Sequence, residues 1–163
     1  MIKLARKITC LLAGTLCAQR EGMNPAELRA RVKRFAIRIV RFVRALPRDD
    51  AAREIGYQLL KAGTGESANY HAACRGRSKK EFIAKLGTVV EEADEAEHWL
   101  DVMKHAELAS VAELNWLAGE ASELRAIFKA SLSTARSDYE RDEARRARKS
   151  SNPQIPKSRN HKS

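Results

Sequence analysis

The chain reads as an all-α protein, an antiparallel up-down four-helix bundle followed by a disordered basic C-terminal tail. Three observations predict this. Apolar residues recur at three- and four-residue spacing in four separate stretches, as one face of a helix requires. No alternating Val/Ile/Thr run suggests a strand, and only four prolines and eight glycines interrupt the pattern. The links between the stretches are short, which makes consecutive helices antiparallel neighbours.

The first helix is expected from Pro25 to Ala45. Asn24 caps it, Pro25 suits the first turn, and Glu27 completes a capping box. Leu28, Val32, Phe35, Ile39, Phe42 and Leu46 form its apolar stripe, widened by Ala36, Val40 and Val43. Pro47 ends it by disfavouring helical geometry in the residue before. The second helix opens at Asp49-Asp50, acids that suit the positive end of the helix dipole, and runs to about Cys74 with Ala52, Ile55, Leu59, Leu60 and Ala62 inward. Gly63 and Gly65 lie in mid-helix, where each costs about 1 kcal/mol relative to alanine. With Gly56 and Ser67 sharing a side with Gly63, either another helix approaches closely there or the helix breaks or kinks.

A Ser-x-x-Glu box, Ser78 to Glu81, opens the third helix, with Phe82, Leu86, Val89, Val90, Ala93, Ala96, Trp99 (or Leu100) and Met103 on its core face. A second box, Ser110 to Glu113, opens the fourth, lined by Leu114, Leu117, Ala121, Leu124, Ile127, Phe128 and Leu132. Apolar periodicity stops at Ala135. Ser137 to Lys149 either prolongs the fourth helix as an exposed rod or joins the tail, and Ser150 to Ser163, with Pro153 and Pro156, reads as disordered. The domain plan is therefore a bundle over 23–135 between an N-terminal extension, 1–22, and a basic polar tail, 136–163. In the extension, Lys3, Arg6 and Lys7 precede an apolar run, Ile8 to Ala18, shaped like a signal peptide but without small residues at a cleavage site. It is too short to span a bilayer. Met23-Asn24-Pro25 fits a natural start, which makes 1–22 an upstream extension.

The net charge of +10 is uneven. Residues 1–23 carry +3, residues 136–163 carry +5, and the 112 residues between carry only +2. The bundle is nonetheless polarised. Arg31, Arg34, Arg38, Arg41 and Arg48 fall in one sector of the first helix. The third helix presents Glu91, Glu92, Asp94, Glu95, Glu97 and Asp101. An arginine row grips phosphate bidentately, or it is a solvated face, or it pairs with acids of a neighbouring helix or subunit. With the tail's Arg145, Arg146, Arg148 and Lys149, these arginines (Arg31, Arg34, Arg38 and Arg41) are the candidate nucleic-acid contacts. Three cysteines, Cys10, Cys17 and Cys74, make no disulfide framework and suit a reducing cytoplasm.

No phosphate-binding glycine loop, nucleophile elbow or zinc-protease motif occurs, so no catalytic residue is assigned and an enzyme is not expected. A di-iron bundle needs Glu-x-x-His on two helices. Glu95-x-x-His98 supplies one, and none of His71, His105 or His161 has a glutamate three residues before it. His71 and Cys74, one turn apart, are too few ligands for a metal site. No metal and no cofactor is expected.

Several blocks between Arg34 and Met103 carry a resemblance. They are Phe35 to Pro47 (FAIRIVRFVRALP), Ile55 to Leu60, the small-residue segment ending Ala68-Asn69-Tyr70 with Ala72-Ala73, Ser78, Phe82-Ile83, Lys85-Leu86, Glu91-Glu92, Glu95 and Trp99-Leu100. In order and spacing they resemble the bacterial four-helix-bundle proteins first noticed as open reading frames within intervening sequences of 23S rRNA genes. The chain departs from that family at His71, where an acid is expected. The resemblance implies four antiparallel helices, often a homopentameric ring, and no established catalytic activity. A related branch, the accessory proteins of diversity-generating retroelements, forms basic pentamers that bind nucleic acid and a reverse transcriptase. Two functional readings follow: a non-enzymatic cytoplasmic oligomer that binds RNA or DNA, or a structural adaptor whose partner is a protein such as a reverse transcriptase. No membrane partner is expected.

Overall fold

The computed structural model describes residues 24–150. The N-terminal extension with Cys10 and Cys17, and the tail beyond Ser150, lie outside them. Four helices follow in order: α1 (Pro25–Arg44), α2 (Asp50–Ala73), α3 (Lys79–His105) and α4 (Val111–Ser150). Each packs against the next, and α4 returns to α1 to close an up-down bundle.

The helix starts follow local chemistry. Asn24 Oδ1 accepts hydrogen bonds from the Ala26 and Glu27 amides, each at 2.9 Å, and the Asn24 amide donates to Glu27 Oε2 at 2.9 Å. Asp49 Oδ1 caps α2 through Ala51 and Ala52. Ser78 Oγ caps α3 by accepting from the Glu81 amide at 3.1 Å, but the Glu81 carboxylate reaches back one residue further than the box requires and accepts from Arg77. In α4 the expected partner of Ser110, Glu113, extends to Arg38 on α1.

The core follows the predicted stripes. Leu28, Val32, Phe35, Ala36, Ile39 and Phe42 of α1 are buried against Ala52, Leu59 and Ala62 of α2, Leu86 and Val89 of α3, and Leu114, Leu117 and Leu124 of α4. Between the two candidates on α3, Leu100 enters the core and Trp99 stays at its edge, where its Nε1 donates to Glu95 at 3.3 Å. Tyr70 meets Phe128 at the far end, ring centroids 5.2 Å apart.

The mid-helix glycines do not break α2, which is continuous from Asp50 to Ala73. Gly56 and Gly63 admit α1 instead, and Gly65 faces Glu92 of α3. A Cβ on Gly63 would stand 2.2 Å from Ile39 Cδ1, and one on Gly56 would stand 2.8 Å from Leu46 Cδ1. The close approach offsets the intrinsic helix cost of glycine.

The fourth helix does not end at Ala135 and is 40 residues long. The segment 136–150, left open between an exposed rod and the start of the tail, is helical, and charge pairs replace apolar packing there. Lys79 at the start of α3 binds Asp142, holding that carboxyl below its usual range, and Arg141 and Arg146 pair with Asp138 and Glu143 within the helix.

The Ile39–Gly63 contact makes a specific prediction. Gly63→Ala is expected to cost about 1–3 kcal/mol of stability through overpacking, and Ile39→Val, which removes the obstructing methyl, about 0.5–1.5 kcal/mol. Urea unfolding of the double variant should show a loss smaller than the sum of the two singles. Simple additivity would mean that the glycine is not there for α1.

Candidate nucleic-acid interface

The arginine row of α1 divides into two lines. Arg31 and Arg38, seven residues apart, lie on the edge facing α4. Arg34 and Arg41, also seven apart, lie further round with Arg44 on the outer face. On α4, Glu113, Trp116, Glu120 and Glu123 form the facing row at i, i+3, i+7 and i+10.

The first line is engaged by α4, Arg31 more closely than Arg38. Arg31 Nε donates to Glu120 Oε1 at 2.7 Å and Nη2 to Glu120 Oε2 at 2.8 Å, a bidentate fork, and Nη2 also binds Glu123. The Arg31 and Glu120 side chains are each only 17% exposed. The bonds to Glu120 first, and to Glu123, raise the already high Arg31 pKa against partial burial, so the charge is permanent. Arg38 lies 3.5 Å from Glu113, and its guanidinium sits 4.3 Å from the ring centroid of Trp116. Arg31, one of the candidate phosphate contacts, is thus spent on α4, and Arg38 is largely so. The acids they meet belong to α4 of the same chain.

The acids of α3 are also partly engaged. Asp94 binds Arg125 at 3.2 Å and Lys129 at 3.0 Å, and Glu97 binds Arg125 Nε at 2.8 Å. Partial burial opposes ionisation of Asp94, but Lys129 and Arg125 outweigh it and hold the carboxyl below its usual range. Among the described residues, Arg34, Arg41, Arg44 and Arg48 are exposed and form no ion pair.

The tail candidates occupy the last turns of α4. Arg145, Arg146 and Arg148 are exposed there, Arg146 pairing with Glu143 at 2.8 Å, and Lys149 falls within the same helix. They are not brought together with the α1 arginines. Trp116, which the Arg38 guanidinium reaches, stands level with the turn holding Arg34, and Arg145 stands 29 residues further along α4, about 40 Å at 1.5 Å per residue. The protein therefore carries two basic regions at opposite ends of one helix.

Sequence reasoning missed Glu66. It is fully buried on α2, and neither carboxylate oxygen has a hydrogen-bond partner among the described residues. Burial first, then the like charges of Glu120 and Glu92, push its carboxyl up to about 8. Burial and Glu95 raise Glu92 as well, partly opposed by Lys61. The signal was present, because Leu59, Gly63, Glu66, Tyr70 and Ala73 continue the 4-3-4-3 core spacing straight through the glutamate.

Glu95 and His98 do not converge on further ligands. Glu95 holds Trp99, and His98 packs edge-on against the Trp99 ring with centroids 5.0 Å apart. Among the described residues no three His, Cys, Asp or Glu side chains are grouped to hold a metal ion, and no helix is long and apolar enough to cross a membrane.

Fold and surface together define an all-α bundle with a polarised, arginine-rich exterior. Residues 27–130 match the family described as 23S rRNA-intervening sequence protein, and the chain belongs to that family. A protein of unknown function from Bacteroides thetaiotaomicron, of the S23 ribosomal protein family, shares the fold. It is 24% identical, the match covers 65% of this chain and 95% of that one, and the TM-score is 0.61. No curated protein matches the chain.

Glu66 sets a pH dependence. Its carboxyl titrates near 4.5 when unfolded and near 8 when folded, so between those values the folded state holds a proton that the unfolded state has lost. Stability therefore falls as pH rises through that window, by a few kcal/mol in total, and levels above it. Glu66→Met, which fills similar space without a charge, should remove this slope in thermal melts from pH 5 to 9. An unchanged slope would place the titration elsewhere.

Proposed function

We propose that this chain is a non-enzymatic, cytoplasmic oligomer, a homopentamer by analogy with its family, that binds RNA or DNA through phosphate contacts. One observation carries the reading: after Arg31 and Arg38 are taken by α4, Arg34, Arg41 and Arg44 remain exposed and without ion pairs among the described residues. Unpaired arginines at this density attract a polyanion and grip phosphate bidentately. Arg145, Arg146, Arg148 and Lys149, in the last turns of α4, form a second contact region far from the first. An oligomer presents several of each, which adds avidity.

A second reading, a structural adaptor for a protein such as a reverse transcriptase, is favoured by the exposed apolar side chains Ile37 and Val111, 41% and 61% exposed. Under it, the outer face of α1 is covered between subunits or by the partner.

A salt series on oligomer of defined size separates the two. Affinity for RNA and DNA should fall steeply with salt. Arg34→Gln with Arg41→Gln should reduce the slope of log affinity against log salt by roughly 1.5, since each lost phosphate contact removes about 0.7–0.9. Light scattering should find the oligomer intact after Arg34→Glu. Negligible binding at low salt, together with an oligomer split by that charge reversal, would favour the adaptor.

A further inference from the structure

Two exposed aromatic rings flank the basic face of α1. Trp116 on α4 is 45% exposed and is held in place by the guanidinium of Arg38 on one side. Tyr57 on α2 is 59% exposed and stands at a surface groove with Val43, Leu46 and Pro47, at the far end of α1. Because α1 packs between α2 and α4, the rings lie on opposite edges of it. The pairing of Arg38 with Glu113 and of Arg31 with Glu120 sets Trp116 level with the turn holding Arg34. The contact of Gly56 with Val43 and Leu46 sets Tyr57 level with Ala45. The offset is about ten residues, or ~15 Å along the axis, and neighbouring helix axes are 8–10 Å apart. A line from Trp116 to Tyr57 thus crosses α1 obliquely over roughly 20–25 Å, passing Arg34, Ile37, Arg41 and Arg44 in that order.

We propose that this oblique strip is a track for single-stranded nucleic acid, with bases stacked on Trp116 and Tyr57 and the phosphates between them held by Arg34, Arg41 and Arg44. The inference rests on the nucleic-acid reading above and adds the class of strand. A face that reads phosphate alone binds a duplex at least as well as a single strand, because the duplex carries more charge per length. Rings on a convex helical face reach the π-face of a base only when that base is unpaired. The stretch between the rings is basic, which fits the backbone linking two stacked bases.

The probes are a labelled uridine oligonucleotide of twenty residues and an RNA duplex of equal length, bound to the full chain over a salt series. Trp116→Leu and Tyr57→Leu should each weaken single-strand binding about tenfold or more, leave the salt slope unchanged, and leave duplex binding unchanged. Trp116→Phe should restore most of the affinity. In a Trp99→Phe background, the single strand should quench the Trp116 fluorescence and the duplex should not. Tyr57, far from the α1–α4 seam, keeps the test valid if Trp116→Leu disturbs folding. If neither aromatic variant alters single-strand binding while Arg34→Gln weakens both probes, the stacking track is wrong and the phosphate reading stands. If the wild-type chain binds neither probe at low salt, both fail.

Discussion

The fork from Arg31 to Glu120 closes the bundle. Helices α1, α2 and α3 meet their chain neighbours closely, and α4 does the same with α3, but the seam between α4 and α1 is the thinnest and is bridged by long side chains. At that seam an aliphatic pair would supply adhesion without register. A bidentate arginine, repeated seven residues away by Arg38 with Glu113 and Trp116, sets the register as well. It also decides the chemistry of the exterior. Every arginine taken by α4 is lost to a ligand, and every one left over faces outward.

The same seam touches the interior charge. Glu120 holds Arg31 on one side and adds to the field on Glu66 from the other. α2 gives Glu66 and α3 gives Glu92 in or beside the core. Of Arg31, Glu66, Glu92 and Glu120, only Arg31 and Glu120 are joined in an ion pair among the described residues. Glu66 keeps its place by being neutral at pH 7, which avoids the large cost of a bare buried carboxylate. Near it, Gly65 leaves room for the Glu92 carboxylate, which would lie 2.7 Å from any Cβ there.

Much of the fold was legible in the residues, because caps and apolar spacing are local. Asn24, Asp49 and Ser78 marked three helix starts, and the stripes from Leu28 to Phe42 and from Leu114 to Leu132 named the core. Where two residues fitted equally, as Trp99 and Leu100 did, only packing could choose. The end of α4 stayed open between an exposed rod and a tail because apolar periodicity does stop at Ala135, and the rod is the outcome; the contact that anchors it, Lys79 with Asp142, joins residues distant in sequence. The candidate site was legible only in part. Spacing placed five arginines in one sector, yet the split between Arg31 and Arg34 depends on which helix lies alongside. Trp116 and Tyr57 gave no sign of their exposure, since each also fits a partly buried helical position.

The account turns on the claim that Arg31 is structural while Arg34 is not. A double-mutant cycle of Arg31→Gln with Glu120→Gln, read by urea unfolding beside the single variant Arg34→Gln, tests it most directly. A coupling of about 1–3 kcal/mol for the half-buried bidentate pair is expected, with Arg34→Gln within about 0.5 kcal/mol of wild type. Coupling near zero, or an Arg34 loss as large as that of Arg31, would contradict it.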